Sequence, residues 1–128
     1  MGINDKGVVK RAIVTPDKHA PLHDVKAISV VKQAIEIIKP DIYVDLGDLG
    51  EFAGCSHWQW KRKKKPPLEF ILPKVEQDIK AVNELLDDID ESLDKVNVKT
   101  KHICAGNHDE WLDFFNAEHP YLGLSFEK

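Results

Sequence analysis

The sequence predicts an α/β fold built on parallel strands. Three short apolar runs, each too short for a helix, stop at polar clusters. Two longer segments with helical apolar spacing lie between these runs. The resulting order of strand, helix, strand, helix, strand requires crossover connections, and crossovers join parallel strands. Such sheets take ligands at the carboxyl ends of their strands, which is where all three polar clusters fall.

The first run is Ala12-Ile13-Val14, leading into Thr15-Pro16-Asp17-Lys18-His19. A helix is expected over 24–39, where Val25, Ile28, Val31, Ile35 and Ile38 recur at spacings of three and four. Asp24 suits its N-cap and Pro40 its stop. The second run, Asp41-Ile42-Tyr43-Val44-Asp45-Leu46, leads into Gly47-Asp48-Leu49-Gly50-Glu51. Residues 52–72 read as an insertion. Its 58–67 segment joins two tryptophans to a run of cations and ends in two prolines, so it reads as a loop.

A long helix is expected over about 73–96, with Pro73 in the first turn. Val75, Ile79, Val82, Leu86, Ile89, Leu93 and Val96 alternate at four and three. A coiled-coil seam has this pattern, but flanking strands and only about three heptads favour a helix packed on a sheet. Asp87, Asp88, Asp90, Glu91 and Asp94 form its wet face. The third run, His102-Ile103-Cys104-Ala105, is expected as a buried strand with His102 packed at its start. It gives way to Gly106-Asn107-His108-Asp109 and a short helix.

The 128 residues form one domain or part of one, and 42% hydrophobic residues is ordinary for a globular chain. A net charge of −4 excludes a global pull toward nucleic acid or anionic membrane. The first residues have no signal-peptide pattern, and no apolar run nears the ~20 residues of a membrane span. Cys55 and Cys104 do not make a disulfide framework, so both read as reduced thiols in a cytoplasmic protein. Cys104, inside an apolar run, is expected to act as a small hydrophobe.

Together the strand ends offer Asp17, His19, Asp48, Asn107 and His108. Carboxylate, imidazole and amide donors in one place suit manganese, iron or zinc better than a thiolate-selective site would. Gly47 and Gly106 let the chain turn sharply as each strand ends. An aspartate between two ions can bridge them, as in the two-metal centres with ~3.5–4 Å separation that act on phosphate esters. Each motif alone is a weak signal. Three of them, in order and each after a strand, are a strong one.

In those three motifs the chain resembles the calcineurin-like metallophosphoesterase family. The family's Asp-x-His, Gly-Asp-x-x-Asp and Gly-Asn-His-Asp motifs correspond to Asp17-Lys18-His19, Gly47-Asp48-Leu49-Gly50-Glu51 and Gly106-Asn107-His108-Asp109. The stretch Asp17-Lys18-His19-Ala20-Pro21-Leu22-His23-Asp24 resembles the phage-encoded branch in particular. The resemblance implies a parallel βαβαβ unit forming one half of the family's α/β sandwich. It implies two divalent ions (manganese favoured over iron, zinc or nickel), with Asp17 and His19 on the first, Asp48 bridging and Asn107 on the second. It makes His108 a catalytic group facing the phosphate, with Glu51 in place of the family's Asp to orient it and Asp109 counted in the same set. The implied reaction is hydrolysis of phosphate mono- or diesters.

The family's later Gly-His-x-His motif does not occur in this sequence. Only its N-terminal half is therefore expected here, to be completed by a C-terminal polypeptide or by self-association. His119 is the one candidate for a substitute ligand, while His23 is expected to face solvent and His57 is left unassigned. Two other readings stay open. One is a non-catalytic interaction fragment of a split enzyme. The other is a nucleic-acid-binding module using Trp58, Trp60, Lys61, Arg62, Lys63, Lys64 and Lys65, since cations follow phosphates and aromatics stack on bases.

Overall fold

The computed structural model of the protein describes residues 9–56 and 67–124. In chain order the elements are β1 (Ala12–Thr15), α1 (Val25–Ile38), β2 (Ile42–Asp45), a 3-10 turn (Ala53–Cys55), α2 (Leu68–Lys95), β3 (Thr100–Ile103) and α3 (Asn107–Glu118). The three strands pair in parallel in the order β1-β2-β3. The α/β class, the parallel sheet and the alternation of strands and helices match the sequence expectation.

Asp24 caps α1 as expected, its side chain accepting from the backbone N–H groups of Lys26 (2.9 Å) and Ala27 (3.2 Å). Lys39 ends the helix in the left-handed region at φ 50°, immediately before Pro40. Ile28 and Ile35 bury the expected stripe, whereas Val25 at its start stays 72% exposed. Helix α2 starts at Leu68, five residues earlier than expected, because Leu68 and Ile71 extend the apolar stripe backward and Pro67 occupies the N-cap. Pro73 therefore lies inside the helix. It withholds a donor only from the carbonyl of exposed Glu69 in the first turn, where water can replace it.

Two right-handed crossovers running in the same direction put α1 and α2 on one face of the sheet. In-register rows run Ile13, Tyr43, Lys101 on that face and Val14, Val44, His102 on the other. Tyr43 is buried, and Lys101 reaches Asp90 (2.5 Å) and Asp94 (3.0 Å) of α2. Lys32 of α1 meets Asp88 at 2.5 Å, so part of the acidic stripe expected to be only a wet face ties α2 to its neighbours. Ile28, Ile35, Val75, Val82, Ile89 and Leu93 join Tyr43 in one core.

The opposite face carries no helix among the described residues. Val14 is 52% and Leu46 51% exposed, and His102 and Cys104 are exposed beside them. This corrects three expectations. The strands are buried on one face only, His102 is not packed, and Cys104 is no core hydrophobe. Cys104 lies one residue past β3 and alternates onto the uncovered face, although its N–H still donates to the Asp45 carbonyl at 2.8 Å. Cys55 is buried. No helix among the described residues is long and apolar enough to cross a membrane.

Candidate metal centre at the strand ends

Beyond the formal strands, the loops after β1 and β2 continue the parallel ladder. Asp17 N–H donates to the Gly47 carbonyl (3.2 Å), His19 N–H to Asp48 (2.9 Å), Ala20 N–H to Leu49 (2.8 Å) and Glu51 N–H to Ala20 (2.9 Å). This zipper puts Asp17-Lys18-His19 beside Gly47-Asp48. The chain adopts strained conformations there. Asp17 (φ 45°), His19 (φ 51°) and Asp48 (φ 52°) occupy the left-handed region, as does Phe52 (φ 45°). Such positions cost about 1–3 kcal/mol each and gather at functional sites.

The strain converges ligand atoms. One donor atom each from Asp17, His19 and Asp48 lies within 4.8 Å of the others. A second trio, His19, Glu51 and His108, meets the same limit. The Nδ1 atom of His19 is inaccessible to solvent and has no hydrogen-bond partner, although it lies 3.1 Å from Glu51 Oε2. An orphaned imidazole nitrogen among carboxylates is what a bound cation would satisfy, so these residues fit a divalent ion.

His108 enters the group through the start of α3. Its N–H donates to Asp48 Oδ1 at 2.9 Å, and its Nδ1 lies 2.5 Å from the backbone carbonyl of Glu51. A carbonyl only accepts, so Nδ1 carries a proton and, in the neutral ring, Nε2 carries the lone pair. Glu51 thus holds His108 with its main-chain carbonyl, not with the carboxylate that the sequence reading assigns to this role. Its carboxylate stands closer to His19 (3.1 Å) than to His108 (3.9 Å). Trp111, one turn along α3, packs on the His108 ring with centroids 4.0 Å apart, and His19 meets that ring edge-on at 4.6 Å. The spacing of three residues on an expected helix was the only sequence signal for Trp111.

Asp109 departs from its expected catalytic role. It is 4% exposed, and its carboxylate accepts from the N–H groups of Leu49 (3.0 Å), Gly50 (3.4 Å) and Gly106 (3.1 Å). It fixes the loop after β2 to the start of α3 and is a positioning residue. Lys18, read from sequence only as the middle of Asp-x-His, is also buried. Its Nζ contacts Asp45 and donates to Thr15 Oγ1 at 2.8 Å. Thr15 Oγ1 in turn pairs with the Tyr43 hydroxyl at 2.7 Å, and Asp45 Oδ1 accepts from the Gly47 N–H at 3.0 Å. Burial pushes the Tyr43 phenol up to about 12, outweighing the Thr15 hydrogen bond that lowers it.

Asn107 opens α3 and is exposed at the same strand end. His119 is in neither trio. It caps the far end of α3, about 16 Å along the helix from His108, with Nδ1 3.0 Å from the Phe115 carbonyl. His23 is half-buried rather than solvent-facing, and its Nδ1 is enclosed. His57 and the nucleic-acid candidates Trp58, Trp60, Lys61, Arg62, Lys63, Lys64 and Lys65 lie outside the described residues.

The chain matches no protein-family model, no curated protein sequence and no solved structure. Function is therefore read from the chemistry of the site itself.

Proposed function

We propose that the chain carries the metal-binding part of a dinuclear phosphoesterase that hydrolyses phosphate mono- or diesters. The observation that carries this reading is the convergence of Asp17, His19 and Asp48 through three strained residues at adjacent strand ends. Backbone strain of that kind persists where the surrounding structure holds it for a purpose.

In this reading Asp17 and His19 would hold one ion, Asp48 would serve both ions, and Asn107 would offer an amide oxygen to the second. Divalent ions there, manganese foremost, would supply Lewis-acid charge for a phosphoryl oxygen and an activated water near neutral pH. The chain's own residues fix the geometry. Asp109 locks the loop after β2, and the Glu51 carbonyl sets the His108 tautomer. His108, packed against Trp111, would meet the substrate phosphate.

The uncovered sheet face supports a further part of the proposal. Parallel sheets are ordinarily covered on both faces, and an exposed apolar face marks an interaction surface. We read the fold as one half of a sandwich, completed by a second polypeptide or by self-association. The same face also favours the second reading, a non-catalytic interaction fragment that retains a partial metal site.

The test is Mn²⁺-dependent hydrolysis of bis-p-nitrophenyl phosphate by the purified chain, beside Asp48→Asn and with Mn²⁺ binding measured in parallel. Turnover that disappears in the variant establishes a working site. Binding without turnover means the site needs its complement or serves the interaction reading. A folded chain that neither binds Mn²⁺ nor turns over ends the phosphoesterase proposal.

A further inference from the structure

We propose that His19, Glu51 and His108 form a second cation-binding set, in which Glu51 is a ligand rather than an orienting carboxylate and His108 a ligand rather than the group that meets the phosphate. This rests on the reading that the strand ends hold metal, and deepens it by assigning two ligands, Glu51 and His108, that the sequence motifs do not.

Three features of the geometry point to it. Ligands of a first-row ion bound at ~2.0–2.1 Å sit about 3 Å apart, and His19 Nδ1 lies 3.1 Å from Glu51 Oε2. An ordinary ion pair at that distance would make a hydrogen bond, but His19 Nδ1 makes none. The carboxylate and the ring nitrogen therefore stand side by side, as two donors do around a common ion. Finally, the His108 Nδ1 proton is spent on the Glu51 carbonyl at 2.5 Å. Metal-bound histidines characteristically give their other ring N–H to a carbonyl or carboxylate, which leaves the remaining nitrogen basic.

The chemistry of the two trios differs. Asp17, His19 and Asp48 offer two carboxylates and one imidazole, a set suited to Mn²⁺. His19, Glu51 and His108 offer two imidazoles and one carboxylate, which suit Zn²⁺, Fe²⁺ or Co²⁺. Because His19 belongs to both, removing it weakens every ion, whereas Glu51 and Asp17 separate the two sets. Glu51 has a side chain 28% exposed, so its replacement leaves the core intact.

The experiment is titration of the metal-free chain with Co²⁺, followed by visible absorption and calorimetry, on wild type, Glu51→Gln and Asp17→Asn. Circular dichroism verifies that each is folded. The expected result is a Co²⁺ affinity lowered about tenfold or more in Glu51→Gln, with Asp17→Asn changed much less. Imidazole ¹⁵N resonances give an independent readout. Zn²⁺ should move those of His19 and His108 together in wild type, and move His108 no longer in Glu51→Gln. Unchanged Co²⁺ affinity in Glu51→Gln, with loss in Asp17→Asn, overturns the second set and leaves the strand-end metal centre standing. A folded wild type that binds neither Co²⁺ nor Mn²⁺ overturns both.

Discussion

A β-carbon added to Gly47 would lie 2.4 Å from the backbone nitrogen of Gly106. The loops after β2 and β3 therefore touch main chain to main chain, and that contact delivers His108 to Asp48 and Asp109 to Leu49 and Gly50. Gly47 is also at φ +102°, a conformation that side chains rarely adopt. Gly106 has an extended backbone that any residue tolerates, yet its β-carbon would fall 2.3 Å from Asp48 Oδ1 and 2.5 Å from Asp48 N. Gly47→Ala should destabilise the fold by about 2–4 kcal/mol, combining strain and overpacking. Gly106→Ala should cost less stability but weaken Mn²⁺ binding, since it displaces the Asp48 carboxylate. Urea unfolding and metal titration of the two variants measure this, and wild-type behaviour of both would mean the loops do not meet.

Asp109 gives a second prediction, one that separates positioning from catalysis. Its carboxylate serves three backbone donors while almost wholly buried. Asp109→Asn keeps one acceptor oxygen and turns an NH₂ group toward N–H groups. Hydrogen bonds to charged groups contribute about 1.5–3 kcal/mol, so Asn should lower unfolding stability by about 2–3 kcal/mol. Glu51→Gln, at a more exposed position, should stay near wild type in the same urea experiment. Equal stability of Asp109→Asn and wild type would remove the structural role assigned to Asp109.

The sequence was most legible where local rules and tertiary context agreed. Asp24 as N-cap, Pro40 as stop and the Ile28/Ile35 face each follow from short-range chemistry, and the structure shows all three. The motifs also named Asp17, His19 and Asp48 before their convergence was visible. Long-range geometry was not legible. Nothing in Asp-x-His says that Lys18 turns inward to Asp45, because that depends on a strand two elements away. The motif points to the Glu51 carboxylate, whereas its carbonyl holds His108, a distinction no residue name carries. Cys104 lies on the uncovered face, and an apolar run does not say which faces of a strand are covered.

Lys18 tests the polar network beneath the site. Its side chain is 3% exposed and that of Asp45 0%, so removing either partner strands a buried charge. Breaking such a pair costs roughly 3–5 kcal/mol, while replacing both partners is often close to neutral. Lys18→Met should therefore lower stability strongly. Lys18→Met/Asp45→Asn should recover part of the loss, since the stranded charge is gone and an amide oxygen can still accept from the Gly47 N–H. Urea denaturation of the single and double variants decides it. A Lys18→Met variant within ~0.5 kcal/mol of wild type, the range of ordinary surface substitutions, would place Lys18 in solvent.

Tyr43 makes this network readable by pH. Burial raises its phenol from 10.0 to about 12. Between those values the unfolded chain has released the proton and the folded chain retains it. The unfolded state thus binds fewer protons, and stability falls as pH rises. The contribution is fully present below pH 10 and lost by about pH 12, roughly 2–3 kcal/mol in all. Lys32 and Lys101, whose pKa values their aspartate partners raise, act in the same direction. The slope should therefore be compared with that of Tyr43→Phe, which must be shallower across the window. The tyrosinate absorbance that wild type shows and Tyr43→Phe lacks should appear only toward pH 12 or with unfolding. Its appearance near pH 10, from a chain still folded by circular dichroism, would put Tyr43 outside the core and dissolve the network that links Lys18, Asp45 and Thr15 beneath the metal centre.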